Sequence, residues 1–347
     1  MKSSCVEPPG RHREGGLKIR VRARWLGIAL VLAACAANAA LAQKPSARPA
    51  ENYPNKPVRV LVGSPAGSGT DVMMRAIAQK LSERLGQSVV VDNRAGAAGA
   101  ISLQLAAQAA PDGYTLATLS AQNVTAMLLG TVTTNIPKAL TPVALMISQP
   151  YLMVATPSLP ANSVRELISL ARAKPLVYAS SGVGTVVHLG MELFKSMAGV
   201  EMTHIPYKGS GLSMIDVMSG RVQLAITNTL TAAPLVRSGK LKALAITSAQ
   251  RVQVLPELPT VAEAGVPGYE LRSWYGLLAP NKTQVSLVLM LNREVGALMN
   301  TPEVKERLAA DGAEAAAANT PAQFRDLIHT EIARWGKIIK NLGIAEK

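Results

Sequence analysis

Residues 58–71 read VRVLVGSPAGSGTD, and this stretch decides the fold class. The β-branched run 58–62 predicts a buried strand, and it leads directly into a turn that holds three glycines. The helix predicted after the turn, over residues 72–85, carries apolar residues at helical spacing: Met73, Ile77, Leu81, Leu85. Glycine lets the backbone approach a ligand closely, and a helix N-terminus offers free N–H groups with a partial positive charge. The stretch therefore predicts a strand, a binding turn and a helix.

The same alternation continues beyond this first junction. Residues 88–93 form the next predicted strand, residues 98–110 the next helix, and residues 115–119 a third strand after the turn PDGY. This βαβαβ order predicts a parallel sheet with helices on its faces.

A second α/β unit starts near Val143 and contains a second glycine turn. The turn SSGVGT, residues 180–185, lies between a strand at 177–179 and a helix at 187–198. Further strands are predicted at 151–155, 202–205, 224–227 and 241–247, and further helices at 164–173 and 211–219. Three C-terminal helices, predicted at 285–299, 302–311 and 321–342, are expected to return to the first unit.

Two glycine turns, one in each unit, are able to hold a carboxylate between them without any lysine or arginine. Hydroxyl groups strengthen both turns: Ser68, Thr70, Ser180, Ser181, Thr185. For either turn alone, an N-capped helix in which Thr70 or Asp71 satisfies backbone donors explains the residues equally well. The pairing of two such turns favours an anion site.

Composition excludes several classes of protein. The chain has 347 residues, of which 48% are hydrophobic, 17% charged and 3% aromatic. This composition excludes a mostly disordered or collagenous chain, and two cysteines are too few for a disulfide scaffold or a thiolate-built metal site. The formal charge of +14 raises the question of a nucleic-acid partner. The basic residues are scattered and stacking aromatics are scarce, so we expect no such partner.

Residues 1–42 have the pattern of a signal peptide. A basic region ends at Arg24, an apolar run follows from Trp25, and ALA at residues 40–42 matches the small-x-small cleavage pattern. Removal of this segment leaves 29 basic and 20 acidic residues, a net charge of +9 that attracts anionic solutes. The alternative is a lipoprotein, because LAAC ends at Cys35, which would then be lipidated. In both cases we expect a periplasmic protein.

Eight blocks of the sequence resemble the Bug, or TctC-like, extracytoplasmic solute receptors, which serve tripartite tricarboxylate transporters. They occur in family order from residue 53 onwards: YPNKPVR (53–59), PAGSGTD (65–71), VDNRAG (91–96), APDGYT (110–115), SSGVG (180–184), HIPYKG (204–209), LPTVAEAG (258–265), SWYGL (273–277). The resemblance covers essentially the whole mature chain.

This resemblance implies a two-lobed α/β periplasmic binding protein of type II, a Venus flytrap with a mixed, mostly parallel sheet in each lobe. Lobe 1 would comprise residues 43–147 and 273–347, and lobe 2 residues 148–272. The ligand, a small organic acid or an amino-acid-like solute, would lie in the cleft between the lobes. Carried onto this chain, the family's site predicts these ligand contacts: Ala66, Gly69, Thr70, Asp71, Ser180, Gly182, Thr185, His188, Asn228, Trp274.

Two departures from the family pattern bear on the solute. Thr227-Asn228 stands where the family commonly has Asp-Asn, so one acidic group is missing. Val186 and Val187 follow the second turn where small or polar residues are common. Both departures favour a less polar or less cationic ligand.

Other functions find less support in the residues. A P-loop needs Gly-Lys-Ser/Thr where this chain has GTD at residues 69–71, and the glycine spacing of a dinucleotide site is absent there. An exported serine hydrolase could use Ser181 with His188 or His204, although no Gly-x-Ser-x-Gly surrounds that serine. The histidines lack metal-ligand spacing.

We therefore expect a monomeric binding protein without enzymatic activity, cofactor or metal. Its partner would be a set of membrane transporter subunits. A receptor that passes its signal to a membrane sensor kinase would share this fold and ligand chemistry, so that alternative stays open.

Overall fold

A computed structural model describes residues 52–252, 255–310 and 312–344. The strands of this part of the chain are β1 (Val58–Val62), β2 (Val89–Asn93), β3 (Thr115–Ser120), β4 (Leu140–Ala155), β5 (Leu176–Ser180), β6 (Met202–Pro206), β7 (Leu224–Asn228), β8 (Lys242–Ile246), β9 (Arg272–Pro280) and β10 (Glu314–Ala315). The α-helices there are α1 (Gly69–Leu85), α2 (Ala100–Gln108), α3 (Ala121–Leu128), α4 (Ile136–Ala139), α5 (Val164–Ala173), α6 (Val186–Ala198), α7 (Ser210–Met218), α8 (Thr229–Arg237), α9 (Val285–Met299), α10 (Pro302–Ala310) and α11 (Pro321–Asn341). A short 3-10 helix, Ala97–Gly99, precedes α2.

The strands form two mixed sheets that share one strand, as the resemblance predicts. In the first sheet, β2, β1 and β3 are parallel, and β9, β4 and β10 add antiparallel pairs. In the second sheet, β7, β5 and β6 are parallel, while the end of β4 lies antiparallel between β7 and β8. The chain thus builds two lobes, each with parallel strands whose carboxyl ends lead into helices.

The strand β4 carries the chain from one sheet to the other. Its residues up to Pro150 pair with β9, and from Tyr151 onwards they pair with β7. The buried hydroxyl of Thr247 accepts the Tyr151 N–H at 2.8 Å and lies 2.7 Å from the Leu271 carbonyl oxygen, so it ties together the two segments that cross between the sheets. The crossing is therefore held by side-chain as well as backbone hydrogen bonds.

The C-terminal helices return to the first sheet. Arg84 of α1 forms an ion pair with Glu294 of α9 at 3.0 Å, and Lys80 of α1 pairs with Glu303 of α10 at 3.1 Å. On α11, the buried Trp335 packs into the same apolar core as residues of both sheets. These contacts agree with the predicted path of the chain.

The structure departs from the sequence-based elements mainly around the crossing. The strand predicted at 151–155 is the last part of a strand of 16 residues, Leu140–Ala155. The prolines Pro142 and Pro150 lie inside β4, and proline normally argues against a strand interior. The helix α8 was likewise not predicted, since Pro234 lies inside it.

The predicted signal peptide, residues 1–42, and the alternative lipidation site Cys35 lie outside the described residues. Across the described ranges, the helices are all too short or too polar to pass through a bilayer.

Candidate functional site

A cleft in two adjoining halves lies at the crossing between the sheets. The larger half has a volume of about 330 Å³ and is lined mainly by residues of the first sheet and its loops. The smaller, of about 100 Å³, is lined mainly by residues of the second. Both halves share four lining residues: Gln122, Tyr151, Ser273, Tyr275. Since these four residues line both, the two halves adjoin at the crossing.

The first glycine turn, residues 63–71, ends in the N-terminus of α1. Ser68 caps the helix, because its hydroxyl accepts the Asp71 N–H at 3.3 Å. Gly67 has a φ of +78° and donates its N–H to Oδ2 of Asp71 at 2.8 Å. A side chain four residues ahead thus fixes the peptide of the left-handed glycine.

The buried Asp71 is the centre of a hydrogen-bond network under the first turn. Its side chain also accepts hydrogen bonds from Asn93 at 2.8 Å and from Arg75 at 3.1 Å, and Asn93 reaches back to the Ser64 carbonyl at 3.1 Å. Burial alone would raise the pKa of Asp71, but the bonds from Gly67, Arg75 and Asn93 together lower it below its usual value. The carboxylate stays ionised and holds the turn in shape.

The second glycine turn, residues 180–188, has the same local design. Thr185 caps α6, with its hydroxyl accepting the His188 N–H at 3.4 Å. Gly184 has a φ of +76° and donates its N–H to Nδ1 of His188 at 3.1 Å. Gly184 therefore corresponds to Gly67, and the closing side chain is an imidazole where the first turn has a carboxylate.

A buried serine completes the second turn from behind. The hydroxyl of Ser180 accepts the Gly182 N–H at 3.1 Å and lies 3.0 Å from the Gly182 carbonyl oxygen. It also lies 2.7 Å from Nε2 of His204, a residue of β6. The serine that meets a histidine is thus buried behind the turn, whereas the hydrolase alternative required Ser181, which lines the cleft.

The imidazoles of the second turn stack on each other. The ring centroids of His188 and His204 are 4.1 Å apart, and Tyr178 stacks on His204 at 4.9 Å. Burial, helped by the neighbouring His188, lowers the pKa of His204 to about 4. Burial also lowers the pKa of His188, although the carboxylate of Glu192 acts against it. Both rings are neutral at neutral pH.

The N-terminal residues of five helices line the cleft. They come from α1, α3, α6, α7 and α8, and each includes at least one lining side chain: Thr70, Gln122, Val186, Ser210 and the N-cap Asn228. Among the described residues that line the two halves, none is Asp, Glu, Lys, Arg or His. Helix N-termini carry partial positive charge and free N–H groups, so the cleft favours an anion without a formal countercharge.

The structure brings three of the predicted contact residues to the cleft: Thr70, Thr185 and Asn228. The side chains of Asp71, Ser180 and His188 lie behind the turns, with the partners described above. Ala66, Gly69 and Gly182 belong to the turns but not to the described lining of either half.

Trp274 lies at the crossing but faces away from the cleft. Its indole N–H donates to Glu331 of α11 at 3.3 Å, and its ring meets Phe324 edge-on at 5.7 Å between centroids. Successive strand residues point to opposite faces, so its neighbours Ser273 and Tyr275 line the cleft instead.

Several lining residues were missed by sequence reasoning, and some had a usable signal. Ser120 and Asn123 form a capping box at the start of α3, which marks a third strand–helix junction, without glycine, in the first lobe. The period of two along β9 indicates that Ser273 and Tyr275 share one face of the strand and Trp274 the other, so it could have predicted these two residues as the lining. Tyr151 had no such signal, because its place depends on where β4 changes sheets. Its hydroxyl has a pKa raised above the ordinary value, mainly by burial.

The described residues contain no cluster of three or more His, Cys, Asp or Glu side chains suited to a metal ion. The polar side chains that line the cleft carry hydroxyls and amides.

Comparisons with known proteins agree with this geometry. The family model for the tripartite tricarboxylate transporter family receptor matches residues 73–344. Protein BugT of Bordetella pertussis is 37% identical over 299 residues, covering 85% of this chain and 91% of that protein.

Solved structures are similar over the same range. The structure of R. palustris Rpa4515 with adipate has a TM-score of 0.74 at 39% identity, covering 84% of this chain and 98% of that one. MatC from Rhodopseudomonas palustris with bound malate has a TM-score of 0.71 at 30% identity, covering 83% and 100%. These relatives are solute-binding receptors, not enzymes, with the two-lobed fold of periplasmic binding proteins. The chain belongs to the tripartite tricarboxylate transporter family of receptors.

Proposed function

We propose that this protein captures a small carboxylate in the cleft between its lobes and presents it to a tripartite tricarboxylate-type membrane transporter. In this proposal, residues 43–147 and 273–347 form lobe 1 and residues 148–272 form lobe 2. Closure of the lobes buries the ligand, and the closed form is what the transporter subunits recognise.

The convergence of five helix N-termini on an uncharged cleft carries this proposal. Each terminus is equivalent to about half a positive charge, so several together stabilise an anion even where lysine and arginine are absent. Thr70 on one side and Thr185 and Asn228 on the other supply side-chain donors.

Dicarboxylates are the ligand class that we propose first. Adipate and malate are the ligands of two similar structures. The smaller half of the cleft includes Val186 and Val187, which offer apolar contact to a carbon chain. A ligand with an ammonium group would meet no carboxylate among the described lining residues. The proposal therefore ranks plain dicarboxylates above acidic amino acids.

Export is part of the same proposal. The family's receptors work outside the cytoplasm, and residues 1–42 carry the pattern of a cleaved signal. Mass spectrometry of the mature N-terminus tests the cleaved signal. An N-terminus at Gln43 supports cleavage after Ala42, whereas a lipidated Cys35 would show that the exported protein is anchored to the membrane.

A thermal-shift screen tests the binding function. The panel contains succinate, glutarate, adipate, pimelate, malate, citrate, glutamate and adipamide, the uncharged diamide of adipate. We expect stabilisation by one or more dicarboxylates and none by adipamide. Thr70→Val should weaken that ligand about fivefold through the loss of one hydrogen bond, while the exposed Thr330→Val should not. The proposal is contradicted if adipamide stabilises the protein as much as adipate does. It is also contradicted if none of the carboxylates stabilises the protein.

A further inference from the structure

A cluster of three rings, two of them buried and one half-buried, lies behind the second glycine turn, outside the cleft. It consists of His188 on α6, His204 on β6 and Tyr178 on β5. His188 is 6% exposed and takes the Gly184 N–H, while His204 holds Ser180, whose hydroxyl bridges the Gly182 peptide groups. The ring nitrogens that bond to the turn therefore do so at the Gly184 peptide and at Ser180.

We propose that His188 and His204 are positioning residues that keep the second turn in its carboxylate-binding form, and that His188 does so only while its imidazole is neutral. This inference rests on the proposed function, since the turn has to bind a carboxylate for its shape to matter there.

The hydrogen bonds fix the required protonation state. Nδ1 of His188 accepts the Gly184 N–H at 3.1 Å, so this nitrogen carries no proton and the proton of the neutral ring is on Nε2. Protonation at Nδ1 would replace the acceptor by a second donor that faces the Gly184 N–H. The two rings are stacked at 4.1 Å between centroids, so charging both would also place like charges in contact.

The charged groups that face the pair are already engaged with one another. Glu192 accepts hydrogen bonds from the Tyr178 hydroxyl at 2.5 Å and from the Lys195 ammonium at 2.9 Å, and Lys195 also lies 3.6 Å from Glu201. The Glu192 carboxylate favours protonated histidine, whereas Lys195 opposes it. Burial dominates, and the pKa values of His188 and His204 both lie below the ordinary value.

Two pairs of variants separate positioning from packing. In His188→Asn, the amide oxygen takes the place of Nδ1 as an acceptor that does not titrate, and in His204→Gln the terminal amide takes the place of Nε2. His188→Leu and His204→Leu fill similar space without hydrogen bonds. If the histidines only fill the core, all four variants should bind alike. If they position the turn, the leucine variants should bind about fivefold more weakly and the amide variants within about twofold of the native protein.

The first experiment uses the ligand-free native protein. Long-range 1H–15N NMR spectra at pH 7.5 report the tautomer of each histidine, and a titration towards pH 4 follows the Gly184 amide. We expect His188 protonated on Nε2, and a Gly184 amide shift that follows the titration of His188. Protonation of His188 on Nδ1, or a Gly184 amide that ignores that titration, overturns the proposal.

The second experiment measures dissociation constants by calorimetry for glutarate, adipate and pimelate. The four single variants are compared at pH 7.5, and the native protein is compared with the His188→Asn/His204→Gln double variant from pH 7.5 to 4.5. The double variant corrects for protonation of the probe itself. The proposal is supported if the affinity of the native protein falls more steeply with decreasing pH than that of the double variant. Equal acid dependence, or amide variants as weak as the leucine variants, overturns it. If none of the three probes binds, the proposed dicarboxylate function fails, while the ligand-free spectra still decide whether the imidazoles hold the turn.

Discussion

The two glycine turns have the same backbone design but are closed by different chemistry. In each, a glycine with φ near +77° donates its N–H to the side chain four residues ahead, and the residue after that glycine caps the helix. In the first turn the acceptor is the carboxylate of Asp71. In the second it is the neutral imidazole of His188.

This difference separates what shapes a turn from what binds the ligand. The Asp71 carboxylate accepts hydrogen bonds from Gly67, Arg75 and Asn93. Nδ1 of His188 accepts one from Gly184. The titratable groups of both turns therefore lie behind them, and the residues that line the cleft are uncharged. The difference also means that acid should loosen the second turn before the first.

Removal of the carboxylate should have the largest effect on stability. Asp71→Ala leaves the Gly67 N–H and one Asn93 amide hydrogen without their acceptor, and the loss of these two partly buried bonds to a carboxylate should cost about 2 kcal/mol. Urea unfolding of Asp71→Ala measures this loss, with the exposed Asp326→Ala as the control. A loss below about 1 kcal/mol for Asp71→Ala would mean that the network does not hold the first turn.

Alanine at the two equivalent glycines should show that the second turn is more crowded. A side chain at φ near +77° costs about 1 kcal/mol in both turns. A Cβ at Gly67 meets open space, whereas a Cβ at Gly184 would lie 2.5 Å from Cδ1 of Leu129. Cδ1 is the far end of a half-buried side chain that is able to shift, so Gly184→Ala should destabilise the protein by about 0.5 kcal/mol more than Gly67→Ala.

Chemical denaturation of both glycine variants gives that difference, and Leu129→Ala is the matched test of its cause. In the Leu129→Ala background, the two glycine substitutions should cost the same. A difference that persists there would rule out Leu129 as its source.

The pH dependence of stability should also distinguish the two turns. The pKa of His204 lies at about 4 against an ordinary 6.5, so its contribution is complete above pH 6.5 and is lost as the pH falls towards 4. The pKa of Asp71 is lowered from 3.8, so its contribution is lost only below that pH. His188→Asn/His204→Gln should flatten the unfolding free energy between pH 6.5 and 4, whereas Asp71→Asn should alter only the more acidic range. The same slope in both variants above pH 4 would contradict this assignment.

Local patterns predicted much of the fold and part of the site. The strand, turn and helix around residues 58–85 follow from β-branched residues, glycine and apolar spacing, and Thr70 follows from its place at the helix start. The second turn follows in the same way. Both turns are formed by residues close together in the chain, so the local sequence is enough to predict them.

The rest depends on contacts between distant segments. The strand β4 changes sheets between Pro150 and Tyr151, and no pattern in the sequence marks that register. The family resemblance predicts Asp71 and His188 as ligand contacts, yet each side chain accepts a hydrogen bond from a peptide N–H four residues earlier in its own turn. Their roles depend on which face of the turn they occupy.

Amide NMR during titration with the dicarboxylate that stabilises the protein most tests the central claim directly. That claim is that one carboxylate ligand is held by both turns at once. The amides of Thr70 and Thr185 should shift together and saturate with one dissociation constant. Shifts confined to one turn, or two turns that saturate at different concentrations, would contradict it.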